Sequence, residues 1–153
     1  MRLWSKQLIP YLPRKQLIGQ WRECCLIAKG IAGNGTPNHL LVNKVMDYPL
    51  DHFYQYTKSV YNEVTKRGHN ARWGRFSVYF EVDDDSSFVF DDELFSDWHN
   101  DRYLRQCYYN LQEKYDCGGI TEEEWRRIDE CFGSLRGVTK SVYSVQKTRS
   151  QSV

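Results

Sequence analysis

Metal, nucleotide and disulfide signatures are all missing from this chain of 153 residues. Its four histidines, His39, His52, His69 and His99, show no H-E-x-x-H or H-x-x-x-H spacing, so no metal motif is present. The glycine-rich stretch from Gly30 to Asn38 lacks the G-K-[ST] ending of a phosphate-binding loop and reads as turn chemistry. The five cysteines, Cys24, Cys25, Cys107, Cys117 and Cys131, are odd in number and contain no C-x-x-C. That argues against a disulfide framework and a cysteine-ligated zinc, and a reducing cytoplasm is the expected compartment. No apolar run is long enough to span a bilayer. Arg2 and Lys6 are not followed by an apolar stretch, and Pro10 and Pro13 interrupt the segment, so no signal peptide is read. No metal, cofactor or membrane partner is expected.

What the chain does have is aromatic mass and uneven charge. Aromatics make up 15% of the residues, enough to build one sizeable core. The formal net charge of +1 hides an asymmetry. Residues 1–75 carry 12 Lys+Arg against 4 Asp+Glu, a balance of +8, and residues 76–153 carry 9 against 16, a balance of −7. A basic first half suits a polyanion such as DNA; equally, the two halves can pair with each other.

Periodicity points to a mainly α, single-domain fold of three to four helices over residues 1–133, followed by a loose Ser-, Thr- and Lys-rich tail over 134–153. The first helix is expected from Pro10 to Gly30, with Leu17, Ile18, Trp21, Cys24, Cys25 and Ala28 on one stripe and Gly30 as its terminator. Gln16, Gly19, Gln20 and Glu23 fall off that stripe. Gln16 and Glu23, seven residues apart, point almost the same way, and Gly19 between them leaves a gap. The clearest helix runs from Pro49 to Arg67 and is stopped by Gly68. Alternation of Phe76, Val78, Phe80 and Val82 predicts a small β-hairpin around residues 76–90. A third helix is expected from about Asp97 to Tyr115. A fourth starts at Thr121, where Thr121-x-x-Glu124 forms a capping box, and ends at Gly133.

The chemistry is concentrated near the start. Arg2, Leu8, Leu12, Leu17 and the triplet Trp21-Arg22-Glu23 resemble the opening of the pyrimidine-dimer DNA glycosylase / AP lyase family, of the phage endonuclease V type. Lys66-Arg67-Gly68-His69-Asn70 and, more weakly, Trp98-His99 extend the resemblance in order over roughly residues 1–115. The resemblance implies a compact helical protein that acts on double-stranded damaged DNA without metal. It also implies that an N-terminal α-amine attacks C1′ of the damaged nucleotide, the base leaves, an imine forms, and β-elimination nicks the strand. On this reading Met1 and Glu23 are the catalytic pair. The large Arg2 is expected to protect Met1 from aminopeptidase removal, leaving the Met1 amine as nucleophile. Free α-amines titrate near 7.7–8.0, well below lysine at about 10.4, which keeps a useful fraction nucleophilic near neutrality. Arg2 and Arg22 would hold flanking phosphates, with Arg14, Lys15, Gln16 and Lys44 as further DNA contacts.

The sequence departs from the family where Leu26 stands in place of an Arg and Gln16 in place of a His, and it lacks the aromatic C-terminal segment. Without the resemblance, Glu23 reads as a solvated helix residue paired with Arg22 or Lys29. A non-catalytic nucleic-acid-binding or interaction protein on the same scaffold is the alternative function. A metal-dependent nuclease built on Asp83, Asp84 and Asp85 is a third.

Overall fold

Pro13 decides where the first long helix begins. It sits at the N-cap with φ −56° and ψ 153°, and its carbonyl accepts the Leu17 N–H at 2.9 Å. In this computed structural model, which describes residues 1–80 and 89–136, α1 then runs Arg14–Asn34. Four further helices follow: α2 Leu50–Lys66, α3 Gly74–Ser77, α4 Asp101–Asp116 and α5 Glu122–Phe132. Short 3₁₀ segments cover Lys6–Tyr11, Asn43–Asp47 and Gly133–Arg136. The fold is mainly helical, as the periodicity predicts, and the described residues contain no strand. The chain divides within α4 into two compact units, Met1–Cys107 and Tyr108–Val153.

In the first unit α1 packs against α2. Leu17, Trp21, Cys24, Ile27 and Ala28 from α1 meet Phe53, Tyr56, Val60 and Val64 from α2 in one buried core. The first twelve residues are part of it: Leu3, Trp4, Ser5, Leu8, Ile9 and Leu12 are all buried. Arg67, at the C-cap of α2, clamps that segment. Its guanidinium donates to the carbonyls of Leu12 at 2.7 Å and Pro10 at 2.9 Å, and its Nε to Glu63 at 2.8 Å. Gly68, at φ 81°, takes the left-handed conformation that ends α2.

Three boundaries differ from the sequence reading. α1 continues a turn past Gly30 and is closed by Gly35 at φ 74°, whose N–H bonds to Ile31. Gly30 serves close approach instead: a Cβ there would lie 3.3 Å from the Cα of Pro37 as the chain folds back. The predicted strand from Phe76 is instead helix and turn through Phe80. Phe76 and Phe80, four residues apart, both point inward and stack at 5.1 Å, while Val78 stays exposed. Alternation of three apolar residues thus concealed an i, i+4 pair. The remainder of that hairpin, and Asp83–Asp85, lie outside the described residues apart from the non-strand positions 89–90. α4 starts at Asp101, not Asp97, because Asn100 caps it: its Oδ1 accepts the Tyr103 N–H at 3.0 Å.

In the second unit the Thr121–Glu124 capping box forms as expected. Trp125 and Ile128 are buried, with Trp125 stacked on Tyr115 at 5.3 Å, and Tyr108 donates to Asp129 at 2.9 Å. The tail beyond Arg136 lies outside the described residues.

One buried histidine makes the first unit acid-sensitive. Nδ1 of His99 accepts the Lys6 N–H at 3.1 Å, so the ring must stay neutral there. Burial, helped by the Lys6 charge, lowers its pKa to about 3. The unfolded chain takes up this proton near pH 6.5, whereas the folded chain does not. The contribution is therefore complete above pH 6.5 and is lost as pH falls toward 3, at about 1.4 kcal/mol per unit. Urea unfolding of His99→Gln at a series of pH values is expected to give a shallower loss of stability over this range than the parent; parallel curves would refute the assignment.

Candidate active site

Glu23 lies on α1 at the flank of the core stripe, two turns beyond Gln16. Its Oε2 accepts the backbone N–H of Arg2 at 3.3 Å. Only Cα and the carbonyl carbon of Met1 separate that amide from the α-amine, a span below about 4 Å, so the amine is confined to within about 7 Å of the carboxylate. Met1 itself is 45% exposed. The site therefore joins an accessible amine to a half-buried carboxylate.

A buried glutamine holds these two groups in register. Gln20, one turn before Glu23, is 1% exposed. Its Oε1 accepts the Trp4 N–H at 2.8 Å. Because a peptide N–H can only donate, this contact fixes which way the amide faces, and Nε2 is left to donate to Glu23 Oε2 at 3.4 Å. The Tyr56 hydroxyl donates to the Trp4 carbonyl at 2.6 Å and also contacts Gln20 Oε1 at 3.1 Å. Tyr103 donates to the Leu3 carbonyl. Burial pushes both tyrosines well above the usual phenol range, so both remain donors. Leu3 and Trp4 are thus tied by backbone bonds to α1, α2 and α4. The two bonds to Glu23 are long, and their contribution is direction rather than strength. Among the described residues Glu23 Oε1 has no partner and remains available.

The other candidate residues spread over α1 and beyond it. The Arg2 guanidinium lies 5.4 Å from the Trp4 ring and 3.9 Å from Cys107 Sγ, a cation–π and sulfur contact that leaves it half-buried beside the amine. Arg22 is exposed next to Glu23. Arg14 and Lys15 are exposed on the first turn of α1. Gln16 is half-buried, and its enclosed carbonyl oxygen has no partner among the described residues. Gly19 does leave the expected gap, since a Cβ there would meet nothing within 4 Å. Lys44 is exposed on the Asn43–Asp47 segment, and among the described residues no contact joins it to the Arg2–Glu23 cluster. Among the described residues no group of three His, Cys, Asp or Glu could hold a metal ion.

Sequence reasoning missed Gln20, Tyr56 and Tyr103. Gln20 fell off the apolar stripe, and its burial follows from the N-terminal segment around Trp4 that bonds to it. Tyr56 lies three residues after Phe53 and four before Val60, a spacing that already placed it inward.

The network gives a direct expectation. Replacing Gln20 with Leu leaves the buried Trp4 N–H without an acceptor, at a cost of about 1–3 kcal/mol. Chemical denaturation of Gln20→Leu is expected to show that loss; stability within a few tenths of a kcal/mol of the parent would mean that the N-terminal segment is held elsewhere.

Comparison with known proteins meets this geometry. The model of the family described as pyrimidine dimer DNA glycosylase matches residues 1–74, the stretch that contains Met1, Arg2, Gln20 and Glu23. No curated protein and no solved structure matches the chain. Over residues 1–74, just under half of its length, this chain is therefore similar to the pyrimidine dimer DNA glycosylase family.

Proposed function

We propose that the protein is a DNA glycosylase and AP lyase that works through the Met1 α-amine and Glu23. The observation that carries the reading is the bond from the Arg2 amide to Glu23, which keeps amine and carboxylate within reach of one sugar. The neutral amine attacks C1′ of the damaged nucleotide. The C1′–N bond breaks, and the base leaves with its electron pair and acquires a proton. The sugar ring opens to an imine. Loss of a C2′ proton then expels the 3′ phosphate, which nicks the strand. Glu23 faces the positive charge that develops on the sugar and moves protons in the imine and elimination steps. Its unpartnered Oε1 is free for that work. No step draws on a metal or a cofactor.

Arg2 and Arg22 flank the pair and hold phosphates on either side of the reacting nucleotide. Arg14, Lys15 and Gln16 extend this contact toward the start of α1, and Lys44 adds a cation outside the cluster. The substrate is double-stranded damaged DNA, and the sugar must be exposed by local kinking and extrusion of the nucleotide. Five free thiols suit a reducing cytoplasm.

The test is nicking of a duplex bearing one abasic site, in the presence of EDTA. The parent protein is expected to nick it, and Glu23→Gln to lose about 10²- to 10⁴-fold in rate while still binding the duplex. Nicking that EDTA abolishes would point to a metal-dependent nuclease. Binding without nicking by the parent would leave only a nucleic-acid-binding module.

A further inference from the structure

A cavity of about 530 Å³ opens between α1 and the turn of α3. Arg22, Lys29 and Arg75 stand around it, and Leu26, Val78 and Tyr79 line it. The three apolar side chains are 56%, 71% and 40% exposed. A second hollow shares Leu26, Lys29 and Tyr79 and carries the groove on to Asn34 at the end of α1. Among the described residues no carboxylate pairs with Arg22, Lys29 or Arg75. An apolar floor between three unneutralised cations is a costly surface to leave facing water unless a polyanion with apolar faces covers it. Arg22, which lines the groove, directly precedes Glu23 in the chain. Arg75, Val78 and Tyr79 lie beyond the residues that the family model matches.

We propose that this groove seats the sugar–phosphate backbone of the DNA strand flanking the reacting nucleotide, with phosphates at Lys29 and Arg75 and deoxyribose faces on Leu26, Val78 and Tyr79. The proposal rests on the reading that the protein acts on DNA. Arg22 and Lys29 are seven residues apart on α1, about 10 Å along its axis, so the groove is long enough to follow a strand past more than one phosphate. An acidic face of another protein would also match the charge, and the same experiment separates the two.

Binding to a duplex carrying an uncleavable abasic-site analogue is measured by fluorescence anisotropy across a salt series. The parent protein, Lys29→Ala/Arg75→Ala and Lys66→Ala are compared; Lys66 is an exposed cation outside the groove. Each phosphate contact contributes about 0.9 to the slope of log K against log salt concentration. The double variant is expected to lose close to 2 from the slope, and Lys66→Ala to keep the parent's slope. A parent that binds the duplex beside a double variant with an unchanged slope would overturn this proposal alone and turn the groove toward an acidic protein. A parent that fails to bind the duplex would overturn the DNA reading together with it.

Discussion

The site depends on one buried amide. Gln20 accepts the Trp4 N–H on one side and faces Glu23 on the other, so a single side chain contacts both the N-terminal segment and the carboxylate. A chain terminus is ordinarily the least ordered part of a domain. Here the two residues after Arg2 are buried, and their backbone is bonded to Gln20, Tyr56 and Tyr103 from three helices. The freedom left to Met1 is that of its own few bonds. An amine confined in this way has little rotational freedom left to lose in the proposed attack.

The same packing separates two roles along α1. Its inward stripe, from Leu17 to Ala28, anchors the helix on α2. Its other faces carry Glu23 beside the N-terminal segment, and Arg22, Leu26 and Lys29 beside α3. The aromatic cluster beneath makes this possible. Trp21 stacks on Trp73 at 6.2 Å, and Trp73 meets Phe76 at 4.9 Å, which brings Arg75 up to α1. The positive balance of the first 75 residues thus has local expression in three cations around one groove, instead of being cancelled by ion pairs among the described residues.

How legible this was in the sequence depended on the range of the interaction. α2, with Pro49 before it and Gly68 after it, could be placed almost to the residue, because its stripe and its stop signals are local. The Thr121–Glu124 capping box is also a local bond and formed as read. Gly30 misled because a glycine that ends a helix and a glycine that admits a neighbouring backbone look alike until Pro37 is placed against it. Phe76 and Phe80 misled because period two and period four coincide over five residues. Glu23 and Arg2 were named on the family resemblance, and in the structure they touch across twenty-one residues. The Gln20 bond to Trp4 could not be foreseen, since a glutamine off the apolar stripe reads as solvated until another segment covers it.

The central claim is that the reacting group is the backbone amine of Met1, held against Glu23. Borohydride reduction during reaction with abasic-site DNA fixes the imine as a stable adduct, and peptide mass spectrometry of the digested adduct locates it. The account predicts the added mass on the Met1 α-amine of the N-terminal peptide. An adduct on a lysine side chain, or full activity in a protein whose N-terminal amine is acetylated, would contradict it.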